Sequence, residues 1–231
     1  MTLLNISPFA ISRWGAFFNH FDLFFKDFLY TLGISFGALL LALILGILSG
    51  GLSTSKSKVG KLISRIYVEV FQNTPLLVQM VFVYYGLAII SNGHVMISAF
   101  FTAVLCVGLY HGAYISEVIR SGIEAVPKGQ TEAALAQGFT ANQTMQLIIL
   151  PQAVRTILPP MTNQVVNLIK NTSTVAIISG ADIMFVAKAW AYDTTNYIPA
   201  FAGAAIFYFV ICFPLASWAR KQEELNKKTY S

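Results

Sequence analysis

Apolar residues in this chain fall into long blocks, with none of the strict alternation that marks a half-buried strand. The blocks lie at about 28–50, 66–90, 97–118, 157–179 and 198–219. Each approaches the roughly 20 apolar residues that a helix needs to cross a bilayer. The pattern predicts an all-α integral membrane protein with five transmembrane helices. The fourth block departs from it, because residues 162–174 read Thr-Asn-Gln-Val-Val-Asn-Leu-Ile-Lys-Asn-Thr-Ser-Thr. Asn163, Asn167, Asn171 and Thr174 recur there at helical spacing, flanked by Gln164 and Lys170. Polar side chains at membrane depth must face protein or a water-filled path. The second block is interrupted at Gln72, Asn73, Thr74 and Pro75, where proline removes a backbone hydrogen bond. Asn73, Thr74, Asn163, Gln164, Asn167, Lys170 and Asn171 are therefore the expected lining of a polar path. The competing reading is hydrogen bonding between neighbouring helices.

Charge orders these blocks across the membrane. The first connection carries Lys56, Lys58, Lys61 and Arg65, and the third carries Arg120, Lys128 and, at its far end, Arg155. The tail carries Arg220, Lys221, Lys227 and Lys228, whereas the connection near 91–96 has no Lys or Arg and that at 180–197 has only Lys188. The positive-inside rule then predicts the N-terminus outside and the C-terminus in the cytoplasm. With 11% charged and 56% hydrophobic residues, the formal charge of +5 belongs to such loops and not to nucleic-acid binding. Cys106 and Cys212 lie inside apolar blocks without His or Cys at metal spacing, so neither a disulfide nor a metal site is expected. Residues 1–27 read as an interfacial segment around Trp14 and its Phe neighbours, and 220–231 as a cytoplasmic tail. Lys170, at a cost of about 2.5–3.5 kcal/mol near the bilayer centre, needs a partner or an aqueous cavity. Glu69 and Glu117 read as ion-pair partners between helices. Glycines four apart (Gly33/Gly37, Gly46/Gly50, Gly108/Gly112) offer close helix approach without identifying any function.

Between the third and fourth blocks lies a small-residue loop, about 124–151. Pro127 can begin a short helix and Gly138 can end it in a left-handed turn. Thr140 with Gln143 has capping-box spacing for a second short helix, and Pro151 marks the return towards the membrane. Glu132-Ala133-Ala134, three residues, Gly138, nine residues, and Ile148-Ile149-Leu150-Pro151 match without a gap the EAA loop of importer-type ABC transporter permeases.

Two further segments strengthen that resemblance. One is Glu69-Val70-Phe71-Gln72-Asn73-Thr74-Pro75-Leu76-Leu77-Val78-Gln79, with Gln72 where the family frequently has Arg. The other runs from Gly112 to Ile123 and on through Pro127-Lys128-Gly129-Gln130. The chain closely resembles the polar amino-acid uptake branch of the ABC importer permeases (histidine-, glutamine- and glutamate-type) over roughly residues 28–219. The resemblance implies the type I ABC importer permease fold and a bacterial cytoplasmic (inner) membrane location. It also implies alternating access driven by two separate ATP-binding subunits, which would hold ATP and Mg; no cofactor is expected in this chain. Glu132, Ala133, Ala134, Gly138, Leu150 and Pro151 become the expected ATPase-coupling residues. A second permease copy (itself or a paralogue), an extracytoplasmic amino-acid-binding protein and membrane lipid are the implied partners.

The chain lacks G-x-x-x-x-G-K-[ST], since Gly60-Lys61 has neither the earlier Gly nor a following Ser or Thr. It is therefore read as no enzyme itself. Permeases for cationic amino acids in this family often carry Glu where this chain has Gln164. Glutamine, glutamate, aspartate or asparagine is the expected cargo, with cationic amino acids or cystine as the alternative. An ion-coupled secondary transporter is the alternative of a different class, disfavoured by the lack of visible inverted repeats.

Overall fold

The computed structural model describes residue 7 and residues 9–230, the side chains of 223 and 225–230 excepted. Every regular element among them is helical. In chain order these are α1 (Ile11–Asn19), α2 (Phe21–Thr54), α3 (Lys58–Gln72), α4 (Leu76–Ile90), α5 (Ala99–Glu124), α6 (Lys128–Ala136), α7 (Ala141–Ile178), α8 (Ile183–Thr194) and α9 (Tyr197–Tyr230). Among the described residues, α2, α5 and α9 are each long and apolar enough to cross a membrane, and the count reaches five when each bent pair, α3/α4 and α7/α8, is taken as one span.

Several boundaries differ from the sequence reading for identifiable reasons. The block at 66–90 is two helices, because Asn73–Pro75 interrupts it and α3 starts already at Lys58 under the cap of Ser57. The Ser57 hydroxyl accepts from the Gly60 N–H at 3.1 Å. The connection at 180–197 holds a helix of its own, α8, whose first turn is capped by Asp182. Residues 220–230 continue α9. Of the expected interfacial segment, residues 1–6 and 8 lie outside the described residues, and Phe21 already opens α2.

The chain forms two compact units, and several helices contribute to both. The first comprises residues 1–38, 76–107 and 168–214. Its core gathers Phe17, Phe24, Ile183, Val186, Trp190 and Ala204. Phe17 meets Phe24 and Trp190 edge-on, with ring centroids 4.8 and 6.2 Å apart. Its ring also lies directly over Gly203. The aromatic run expected at the interface thus supplies a core residue.

The second unit comprises residues 39–75, 108–167 and 215–231. Here α2 and α5 touch through small residues. A Cβ at Gly50 would stand 2.8 Å from Ile119 Cβ, and one at Gly46 would overlap Ile115. The same approach closes a buried chain of hydroxyls. Ser49 and Ser64 are 2.8 Å apart, and Ser116 donates to Ser49 at 2.9 Å. From α3, Tyr67 donates to the Leu109 carbonyl at 2.7 Å and Gln72 to that of Ala113 at 3.2 Å.

The packing makes a stability prediction. Gly46→Ala should destabilise the permease domain by about 1–3 kcal/mol, because β-branched Ile115 has little room to yield. Gly51→Ala, whose Cβ meets nothing within 4 Å, should be neutral or stabilising by up to about 1 kcal/mol. Thermal unfolding in detergent separates the two. Equal shifts in Tm would contradict the close α2/α5 approach.

Candidate coupling loop and polar helix face

α6 begins after Pro127, which stands at the cap with extended backbone (φ −56°, ψ 135°), one position before the helix proper. It ends in a Schellman turn. The Phe139 N–H reaches the Ala134 carbonyl at 3.1 Å, the Gly138 N–H reaches Leu135 at 3.0 Å, and Gly138 takes φ +88°. A side chain in that left-handed region is strained, which is why glycine stands there. Two residues later Thr140 starts the next helix in a reciprocal capping box. Its hydroxyl accepts from the Gln143 N–H at 3.3 Å, and the Gln143 side chain accepts from the Thr140 N–H at 2.9 Å.

The expected second short helix does not end there. A π turn over Thr144–Ile149 runs straight into the long α7, and Pro151 sits in its opening turns without ending it. Gln152 explains part of this continuity. Its amide donates to the Ile148 carbonyl at 2.8 Å and to the Gln130 side chain at 3.3 Å, tying the π turn to α6. Gln152 belongs to no sequence motif, because its role depends on a turn that periodicity does not reveal.

Among the expected coupling residues, Glu132, Ala133, Gly138, Leu150 and Pro151 are exposed, while Ala134 is buried and forms part of the Schellman turn. Leu135, Leu147 and Leu150 are exposed beside them. A short loop that shows this much leucine has the composition of a docking surface.

The polar stripe lies on α7. Asn163, Asn167 and Lys170 are exposed, whereas the intervening Thr162, Val166, Leu168 and Ile169 are buried. Gln164 is half-buried and hydrogen-bonded to His111 of α5, so it serves as helix-to-helix glue. Lys170 does not sit midway along a uniform helix. It occupies the last α turn before a 3₁₀ stretch, Thr172–Ile178, where the helix dipole favours a cation. Asn171 is half-buried, and its carbonyl accepts from the Thr174 hydroxyl at 2.7 Å.

At the break after α3, Asn73 and Thr74 are exposed, but both side chains turn back on their own helix. Asn73 donates to the Glu69 carbonyl at 2.8 Å, beside its own backbone N–H at 3.2 Å, and Thr74 donates to that of Val70 at 2.8 Å. The acidic residues are likewise local. Glu69 pairs with Arg65 at 2.7 Å, while Arg120 bridges Glu117 at 2.7 Å and Glu124 at 2.6 Å. Each partner lies on the same helix, three or four residues away, and not on a neighbouring one. Solvent screens these exposed and partly exposed pairs, so they contribute little.

The family model of binding-protein-dependent transport system inner membrane components matches residues 42–224. The chain belongs to that family. This permease is also 34% identical over 213 residues to the probable glutamine ABC transporter permease protein GlnM of Bacillus subtilis (strain 168), covering 92% of this chain and 97% of that protein. It is 36% identical over 200 residues to the probable amino-acid ABC transporter permease protein PatM of Vibrio harveyi, covering 85% and 89%. Among solved structures, an amino acid ABC transporter crystallised with histidines superposes with a TM-score of 0.84 at 31% identity, covering 91% of this chain and 97% of the other. The inward-facing MetNI methionine ABC transporter shares the fold, with a TM-score of 0.67 at 18% identity over 88% and 98% of the two chains. The permease therefore has the all-α ABC importer permease fold, acts as the inner-membrane component of an ABC importer and resides in the inner membrane.

The capping box carries a local prediction. Thr140→Ala removes an N-cap worth about 1 kcal/mol, so the Gln143 amide should exchange with solvent about fivefold faster while α6 amides keep their protection. Unchanged exchange at Gln143 would remove the box from the account of the loop.

Proposed function

We propose that this permease moves polar, uncharged or acidic amino acids, glutamine foremost, by alternating access, and that separate ATPase subunits drive it through the loop spanning α6 and the π turn. The observation that carries the reading is the outward polar face of α7. Asn163, Asn167 and Lys170 are exposed on a helix that belongs to a membrane-spanning pair. Such a face is stable in a bilayer only against protein or water. A second permease copy closing around it, with substrate handed over by an extracytoplasmic binding protein, supplies both. The names of the relatives support the amino-acid class, and the absence of an acidic side chain from Asn163 through Thr174 disfavours cationic cargo.

At the loop, Glu132, Ala133, Gly138, Leu150 and Pro151 form the proposed grip for an ATPase that holds ATP and Mg, with Ala134 supporting it from the buried side. Asn73 and Thr74 shape the break after α3, and they remain proposed path residues through their exposure alone. Lys170 and Asn171 would meet the substrate or gate its passage.

Reconstituted with its ATPase and binding protein, the permease should take up glutamine on ATP addition. Asn167→Leu should lower uptake at least tenfold while the complex still assembles and hydrolyses ATP. Gly138→Val and Glu132→Lys should instead uncouple hydrolysis from uptake. Arginine or lysine as the best substrate, with glutamine and glutamate inactive, would overturn the cargo assignment. Full uptake by both loop variants would overturn the coupling assignment.

A further inference from the structure

The coupling loop forms one wall of a groove in the second unit, through Leu135, Met145 and Leu150. Its larger part, about 930 Å³, is lined by Ile47 and Gly51 of α2, Ile119 and Ile123 of α5, and Leu135 of α6. It adjoins a smaller cavity of about 530 Å³, with which it shares Thr54, Ile123, Thr131, Met145 and Ile149 as walls. The smaller cavity changes character, adding Lys61, Lys128 and Ser53 to those walls. Lys56 also lines the larger part. Glu124 is the acidic residue facing the smaller cavity, and its carboxylate is held by Arg120 at 2.6 Å. The larger part is the more apolar of the two, and lysines line both, Lys56 in the larger and Lys61 and Lys128 in the smaller.

Its dimensions and position match one class of molecule. From Ile47 to Thr54, α2 rises about 11 Å at 1.5 Å per residue, comparable with the roughly 15 Å of one hydrocarbon leaflet. The basic end lies where Lys56, Lys58, Lys61 and Lys128 place the cytoplasmic surface. That leaflet carries anionic headgroups, which basic pockets between membrane helices bind. We propose that the groove holds one anionic phospholipid of the cytoplasmic leaflet. Its acyl chain lies against Ile47, Ile119 and Ile123, and its phosphate is held by Lys61 and Lys128. The lipid then packs under α6 and the π turn, so the membrane itself supports the coupling loop. The proposal rests on the cytoplasmic placement of that loop.

The test uses the assembled importer in bilayers of mixed phosphatidylglycerol and phosphatidylcholine, followed by native mass spectrometry of the lipid that stays bound. The wild type should retain phosphatidylglycerol preferentially, and Lys61→Gln and Lys128→Gln should each cut that preference about fivefold. Gly51→Phe, at a position open to a Cβ, should fill the trough and reduce retention of both lipids. Equal retention of the two lipids by the wild type, which needs no variant, overturns the proposal. So does an unchanged preference in both lysine variants. Full displacement by soluble glycerol phosphate would make this a headgroup-only anion site, and a Gly51→Cys crosslink to the ATPase in lipid-free complexes would make it a protein contact; either result refutes it. Failure of the coupling reading registers separately, as intact uptake in Gly138→Val with lipid retention unaffected.

Discussion

Hydrocarbon offers no hydrogen bonds, and much of the hydrogen bonding between this chain's helices answers to that constraint. In the second unit the answer is a shared one. Ser49, Ser64 and Ser116 satisfy one another at 2.8 and 2.9 Å, which is possible because Gly46 and Gly50 let α2 and α5 meet at backbone distance. In the first unit, Thr31 donates to the Asp27 carbonyl and accepts from the Ile183 N–H at 3.0 Å, while Asp182 accepts from Met184 and Phe185 at 3.2 and 3.0 Å. A buried polar atom left unpaired would cost about 1–3 kcal/mol. These bonds consequently decide where helices begin and which faces they share.

The same constraint gives the outward face of α7 its meaning. Elsewhere the exposed surface of the long helices is apolar, as at Phe36, Leu40, Ile44 and Ile47 of α2. On α7 the order is reversed, with Val166, Leu168 and Ile169 turned inward and Asn163, Asn167 and Lys170 outward. A helix so arranged is unsuited to lipid, and it is this face that the proposed second permease copy would cover.

The two periodic signals, long apolar blocks and the polar stripe, were legible in the sequence because each depends only on local spacing. So were the Gly138 turn and the Thr140/Gln143 box, whose geometry is set within a few residues. Three other features stand differently in the structure from the sequence reading. Phe17 is a core residue because Gly203, far along the chain, leaves room for its ring. Glu69 and Glu117 pair along their own helices because Arg65 and Arg120 lie one turn away, and no inter-helix arginine is needed. Pro151 lies within a continuous helix, preceded by a π turn that Gln152 ties to α6.

That last point binds the loop to the stripe. Had the chain formed two short coupling helices, motion at Gly138 would have to pass through a flexible connection before reaching Asn163. Instead α7 is helical from Ala141 onwards, and from Leu150 to Asn163 it advances about 20 Å. A continuous helix transmits displacement along its axis, and its compliance concentrates where bonds are missing. Those bonds are missing at Pro159 and Pro160, just before the stripe, where two successive residues lack an N–H to donate. The loop residues of α6 pass through Gly138 and Phe139 into α7, which carries the π turn, the prolines and the stripe in sequence. On the proposed mechanism a push at the loop would reach Asn163 and Asn167 as a bend at those prolines.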